Sequence, residues 1–171
     1  ARVNYTLLER YNLTATYRAD NSSRFAANHR WGYFPSLGLS WNIDREPWLK
    51  RARHLDYLKL RLSGGLVGNQ EIPDYAYATS YSTGSYGGSS SYTRSTTVNS
   101  NLKWETTASY NVGVDAGFWN GRLSVVADAY YKKTHDLLLL VPTGFSSGVS
   151  TQLQNVGNVV NKGVELTVNT Q

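Results

Sequence analysis

The 171 residues contain no cysteine and no methionine. The first absence excludes a disulfide framework, a zinc–thiolate centre and a thiol nucleophile. The second goes with an opening, "ARVNYTLLERYNLTATYRAD", that starts inside a repeating pattern and reads as a stretch of a longer polypeptide. No signal-peptide pattern is visible, which says little about a stretch of this kind. Charge is also scarce: 17% of residues are Asp, Glu, Lys or Arg, against about a quarter in ordinary soluble proteins. No apolar run approaches the ~18 residues of a membrane-spanning helix, which excludes a helical span and leaves a β-barrel open. A net charge of +5 and a pI near 9.4 raise the question of nucleic acid. The cations are spread one or two at a time along segments such as "RVNYTLLER", "LKLRL" and "YYKK". Without a basic patch, nucleic acid is not an expected partner.

The marks of catalysis are missing as well. His29, His54 and His135 share no metal-ligand spacing, and no Gly-x-Ser-x-Gly elbow or nucleophile–base pair can be named. "SGGLVGN" lacks the Lys-Ser/Thr and the following helix of a phosphate loop, and "DNSS" reads as an Asx-turn before it reads as a calcium loop. The expectation is a non-enzyme with no metal site and no cofactor.

What the sequence has is period two. Val3, Tyr5 and Leu7 alternate with Asn4 and Thr6; Leu13, Ala15 and Tyr17 with Thr14, Thr16 and Arg18. The same alternation runs through "SLGLSWNI", "YLKLRLSGGL", "NVGVDAGF", "RLSVVADAYY" and "KGVELTVNT". This predicts about seven strands, most near the 9–11 residues that cross a bilayer at a tilt. Asn120-Gly121 joins two of them and predicts a type I′ hairpin, because both central positions of that turn need positive φ. The connections alternate in length. Short ones fall at Leu8 to Tyr11 and at Asn120-Gly121, and "DREPWLKRARH" carries one helical turn from Pro47. Long polar ones fall at "NSSRFAANHR", from Gln70 to Asn101, and at "PTGFSSGVS". Long loops on one side and short turns on the other are the pattern of an outer-membrane barrel.

The aromatics agree. Trp41, Phe118 and Trp119 lie at the short-turn ends, and Trp31, Tyr33, Phe34 and Trp104 at the long-loop ends. Two aromatic bands around an aliphatic stripe predict interfacial girdles. Arg18, Lys59, Arg61, Asp115, Asp128 and Glu165 fall on the polar face, where a watery lumen tolerates charge that a sandwich core would not. A soluble antiparallel sheet with one wet face fits the bare alternation equally. The stretch from Asp74 to Arg94, "DYAYATSYSTGSYGGSSSYTR", is dense in Tyr, Ser and Gly, a recognition-type composition. Tyr75, Tyr77, Tyr81, Tyr86 and Tyr92 are candidates to contact a ligand or a protein partner.

Four segments in order resemble the SusC/RagA-like TonB-dependent outer-membrane transporters: "LTATYRADNSSRFAANHRWGYFPSLGLSW", "LDYLKLRLSGGLVGNQEI", "NLKWETTASYNVGVDAGFWNGRLSVVADAYYKKTHDLLL" and "QNVGNVVNKGVELTVN". The resemblance covers nearly the whole chain and is weakest from Tyr75 to Ser100. It implies an all-β fold: residues 1–171 would be one antiparallel transmembrane segment of a 22-stranded, plugged barrel, roughly its later-middle third. It further implies the outer membrane of a Gram-negative bacterium and TonB-energised import of oligosaccharides or peptides. A SusD-like surface lipoprotein would close the outer mouth, and the Tyr-rich loop would be available to it. The TonB complex would act through parts outside this chain, which shows no plug or TonB-interacting segment. Leu60, Val112, Val114, Ala116, Val125 and Ala127 would then face lipid, and Arg18, Lys59, Arg61, Asn111, Asp115 and Asp128 the lumen or plug. The alternatives are a passive porin-like channel, a soluble carbohydrate-binding β-sandwich or adhesin, and, last, an outer-membrane hydrolase.

Overall fold

A computed structural model describes residues 1–49, 54–96 and 98–171. Eleven strands appear: β1 Arg2–Leu7, β2 Tyr11–Asn21, β3 Trp31–Asn42, β4 Leu55–Asn69, β5 Ser80–Tyr86, β6 Ser89–Thr96, β7 Glu105–Phe118, β8 Leu123–His135, β9 Leu138–Pro142, β10 Thr151–Asn155 and β11 Asn158–Thr170. Seven of them make one antiparallel sheet in the order β1-β2-β3-β4-β7-β8-β11. The remaining four form two hairpins, β5–β6 and β9–β10, inside the long connections. Those connections read as polar loops in the sequence. Their strands are short; Ser, Thr and Gly dilute the alternation in β5 and β6, and β9 is an unbroken apolar run, so the period-two signal fades.

Because the pairing is in register across the sheet, each row of paired residues lies on one face. One row runs Leu7–Tyr11–Trp41–Leu60–Val114–Ala127–Leu166; the next runs Tyr5–Leu13–Leu39–Leu62–Val112–Ala129–Val164. On the other face lie Thr6–Asn12–Ser40–Arg61–Gly113–Asp128–Glu165. Among the described residues nothing covers the apolar face. Leu37, Leu39 and Val112, on interior strands, remain 49%, 45% and 47% exposed. A Leu or Val side chain gains about 1.5–3 kcal/mol from leaving water, so this face is built for an apolar surrounding. A sandwich core is not what the sheet encloses.

The turns hold in different ways. Asn120 (φ 56°) and Gly121 (φ 83°) occupy the two left-handed positions, with the Arg122 N–H donating to the Trp119 carbonyl at 3.3 Å. The sequence does not reveal that Trp119 is left-handed too (φ 57°), so that the ladder stops at Phe118–Leu123. The exposed amides of this turn are capped from β4. Asp56, thrown out of the ladder by the irregularity between Leu55 and Tyr57, accepts from the Asn120 and Gly121 N–H groups at 3.1 and 2.8 Å. In the β3–β4 connection a 3₁₀ turn spans Ile43–Arg45, before Pro47 rather than starting at it, and a further turn covers 47–49. The rest of the expected helical turn, residues 50–53, lies outside the described residues.

The buried core sits at the long-loop end. Pairing between β3 and β4 stops at Ser36–Gly65, although both strands continue. Phe34 lies beyond this fork, against Phe25, Ile72, Leu102 and Trp104. A Cβ on Gly32 or Gly68 would run into the Phe34 ring, so glycine at both places lets the ring lie flat against backbone.

Candidate functional site

The inner face gathers much of its charge in one place. Arg61 projects from β4 and grips Asp115 of β7 with both arms, Nε to Oδ2 at 2.8 Å and Nη2 to Oδ1 at 2.7 Å. The same Nη2 reaches Asp128 on β8 at 3.0 and 3.2 Å. The guanidinium can span three strands because Gly113, its partner in register, has no side chain; a Cβ there would meet Arg61 and Asp128. Lys59 pairs with Asp115 in register and Glu165 with Asp128. With Lys132, whose ammonium lies over the Tyr130 ring at 5.4 Å, three cations answer three anions. Arg61, Asn111, Asp128, Tyr130, Lys132 and Glu165 line an open polar cleft of about 580 Å³. Arg18 stands apart on the same face, paired with Asp20 at 2.8 Å and 5.5 Å above the Phe34 ring.

The outer face is arranged in tiers. Val112, Val114, Val125 and Ala127 share it, between Phe118–Leu123 at one end and Tyr110–Tyr131 at the other. Phe118 to Tyr110 is about 27 Å along the strand, or roughly 20 Å at a strand tilt of roughly 40°. With the rings at both ends this matches the ~25 Å apolar band of a transmembrane barrel. Trp41, Phe118 and exposed Trp119 lie at the short-turn end. At the long-loop end, exposed Trp31 is accompanied by Tyr17, Tyr33, Tyr110 and Tyr131. Phe34, 5% exposed in the loop core, does not belong with them, and nor does Trp104. It is 8% exposed, packs on Phe25 and Phe34, and donates Nε1–H to the Arg30 carbonyl at 3.2 Å. An indole one residue before a strand looks the same in sequence whether it faces lipid or closes a loop core.

Glu46, at the short-turn end, went unnoticed in the sequence, where a lone Glu in a polar connection gives no signal. It is buried and accepts from Tyr11 Oη at 2.7 Å, Trp41 Nε1 at 3.0 Å and Arg10 Nη1 at 3.1 Å. The hydrogen bonds from Tyr11 and Trp41, then the Arg10 charge, hold its carboxyl below the ordinary carboxylate value. Tyr11 and Trp41 stack with their rings 5.9 Å apart, so the connection is pinned to two band aromatics.

The long connections are knitted together. Asn99 Nδ2 donates to the Leu153 carbonyl at 2.7 Å, the Lys103 amide to Asn155 Oδ1 at 2.9 Å, and Asn155 Nδ2 to the Lys103 and Asp136 carbonyls. Lys103–Asp136 and Arg24–Asp74 ion pairs add to this. The five candidate tyrosines do not form one surface. Tyr77 packs against the loop core, and Tyr75 sits alone at a left-handed turn (φ 59°). On the β5–β6 hairpin, Tyr81, Tyr92 and Arg94 share a face, while Tyr86 points to the other. Among the described residues no group of three or more His, Cys, Asp or Glu could hold a metal.

A curved antiparallel wall with a charged inner face and a banded apolar outer face defines a transmembrane β-barrel wall. The model of the TonB dependent receptor-like β-barrel family matches residues 1–171, and the chain belongs to that family, on its SusC/RagA-like side. It is 43% identical to the TonB-dependent receptor SusC of Bacteroides thetaiotaomicron, covering 98% of this chain and 18% of SusC. It is 37% identical to TonB-dependent receptor P39 of Formosa agariphila, covering 98% of this chain and 16% of P39. In structure it resembles the RagAB peptide importer in the "closed-closed" state, with a TM-score of 0.91, 34% identity, and 99% of this chain covering 19% of that one. The siderophore receptor PirA of Pseudomonas aeruginosa shares the fold, with a TM-score of 0.61 at 18% identity. The chain thus spans less than a fifth of the length of these curated relatives.

Proposed function

We propose that this chain is a wall sector of a closed, plugged barrel that imports nutrients through the outer membrane of a Gram-negative bacterium. Import draws on TonB, through parts of the protein outside this stretch, and proceeds with a SusD-like lipoprotein at the outer mouth. The cargo class is oligosaccharides or peptides. The observation that carries the reading is the two-solvent sheet: Arg61, Asp115 and Asp128 paired on one face, half-exposed Leu37, Leu39 and Val112 on the other. Backbone at bilayer depth must be fully paired, so β1 and β11 are edges that further strands complete. Membership of the TonB-dependent receptor family supports the energy source.

The test uses the full-length protein in its own cell. It should be recovered from the outer membrane only with detergent, and nutrient uptake through it should stop when TonB is removed. Uptake that continues without TonB would make it a passive channel. Recovery as a monomer in plain buffer would turn the apolar face into a protein–protein or core surface and restore the soluble binding module.

A further inference from the structure

The seven strands of the sheet contain seven Lys and Arg residues, and the register sorts them unevenly. Arg2, Arg18, Lys59, Arg61 and Lys132 fall on the inner face. Only Lys133 and Lys162 fall on the outer one. Both stand at the long-loop end. Lys162 pairs with Tyr131 in the aromatic tier, and Lys133 lies one row further out, between Ala108 and Val160. The row beyond is Thr106–His135–Asn158, with His135 Nδ1 3.0 Å from the Asn158 side-chain Oδ1.

No carboxylate answers these lysines. Asp20, Glu105, Asp115, Asp128 and Glu165 all belong to inner-face rows, and Asp56 is committed to the turn after β7. Neither lysine makes an ion pair among the described residues. At the other end of the sheet the outer-face row Phe118–Leu123–Thr170 holds no charged residue, and the nearby charges of Arg10 and Glu46 are paired with each other. The two lysines are diagonal neighbours on adjacent strands, roughly 7–8 Å apart at the backbone, a span that one phosphate group can bridge. Their depth, beside and just above a ring of tyrosines, is the level of lipid headgroups.

We infer that Lys133 and Lys162 form a site for a phosphorylated lipid headgroup of the outer leaflet, its acyl chains lying on the apolar rows below. The inference rests on the membrane-barrel reading. A lysine on the lipid face costs most at the bilayer midplane and little at the interface, and an anionic headgroup turns that small cost into attraction. The site fixes the barrel's height and rotation in the leaflet from the outer side.

The test is lipid capture by the full-length receptor in phosphatidylcholine nanodiscs doped with bisphosphorylated lipid A, or with the same lipid A stripped of its phosphates. Co-retained lipid is counted by native mass spectrometry. Wild type should enrich the phosphorylated form. Each Lys→Ala change should cut that enrichment roughly fivefold, Lys133→Arg/Lys162→Arg should keep it, and the stripped lipid should show no difference among variants. Equal capture by wild type and Lys133→Ala/Lys162→Ala would overturn the site. So would competition by inorganic phosphate at matched concentration, which would mark a general anion site instead. A wild-type receptor that fails to enter nanodiscs would refute the barrel reading itself, whereas one that enters and ignores the phosphates refutes the lipid site alone.

Discussion

The two faces of the sheet share every backbone hydrogen bond yet solve opposite problems. On the inner face a guanidinium reaches two carboxylates over a bare glycine, and polar atoms find partners within the sheet. On the outer face Leu37, Leu39 and Val112 find none and stay half exposed. The contrast shows that alternation alone does not say what a sheet is for. A soluble sheet would show its wet face outward and close its dry face against a second layer. Here the dry face is the uncovered one, and the ionic network lies on the opposite face.

The sharpest way to break this contrast is to put the same charge on each face of β7. Val114→Arg, in the middle of the outer band, should destabilise the full-length receptor by about 2–4 kcal/mol, as for a cation at the bilayer midplane. Asn111→Arg, on the inner face beside the polar cleft, should change it by less than about 0.5 kcal/mol. Urea unfolding in lipid reads both. Equal costs would mean that the two faces see the same medium.

A smaller effect tests how the inner face is held. Removing Arg61 leaves Asp115 and Asp128 without their shared partner. With 38% of the Arg61 side chain exposed, screening reduces the loss to about 1–2 kcal/mol. Gly113→Ala should cost about 1 kcal/mol by pushing the guanidinium off Asp128. The double variant Arg61→Ala/Gly113→Ala should cost less than the two changes added, since both act on one contact.

How much of this could be read in advance depended on the kind of signal. The seven long strands and their faces were legible because a buried and a wet side, alternating, write themselves into every second residue, as in Val112–Gly113–Val114–Asp115. The family was legible because four such segments came in order. The β5–β6 and β9–β10 hairpins were not: β5 and β6 are too rich in Ser, Thr and Gly to alternate cleanly, and β9 and β10 are only five residues each, the first of them apolar throughout. Trp104 was misplaced for a different reason: its packing on Phe25 and Phe34 joins loops far apart in sequence. Glu46 and Asp56 were invisible because each carboxylate serves groups on other segments, the Tyr11 and Trp41 side chains and the Asn120 and Gly121 amides.

Glu46 gives a pH-dependent prediction. Its carboxyl lies below the ordinary value of 4.5 in the folded protein, so the folded state favours the ionised form. The stabilisation is complete above the unfolded value and is lost as pH falls through the folded one. Wild type should therefore lose stability on acidification below that range, with the Trp41 environment changing in parallel. Glu46→Gln should lose that part of the acid response and sit slightly below wild type at neutral pH, since Arg10 then lacks its ion pair. An unchanged acid limb in Glu46→Gln would assign the response to other carboxylates.

The smallest effect on stability should come from the most conspicuous stretch of sequence. The β5–β6 hairpin forms a two-stranded sheet of its own, and Tyr81, Tyr86 and Tyr92 are all well exposed. The loop core beneath it relies on Ile72, Tyr77 and Leu102, which lie outside the hairpin. Replacing β5 and β6 with a short Gly-Ser linker should thus leave the unfolding midpoint within error of wild type. Under the proposed function, uptake is where the deletion should register, together with retention of a SusD-like lipoprotein on purification. Tyr81→Ala/Tyr92→Ala should reproduce most of that loss and Tyr86→Ala little of it, because only the first two share a face with Arg94. If all three substitutions and the deletion leave uptake and lipoprotein retention intact, the hairpin is a solvated loop and recognition lies elsewhere on the outer connections. A fall in stability on deletion would mean instead that the hairpin, although outside the main sheet, helps to hold the fork that Phe34 fills.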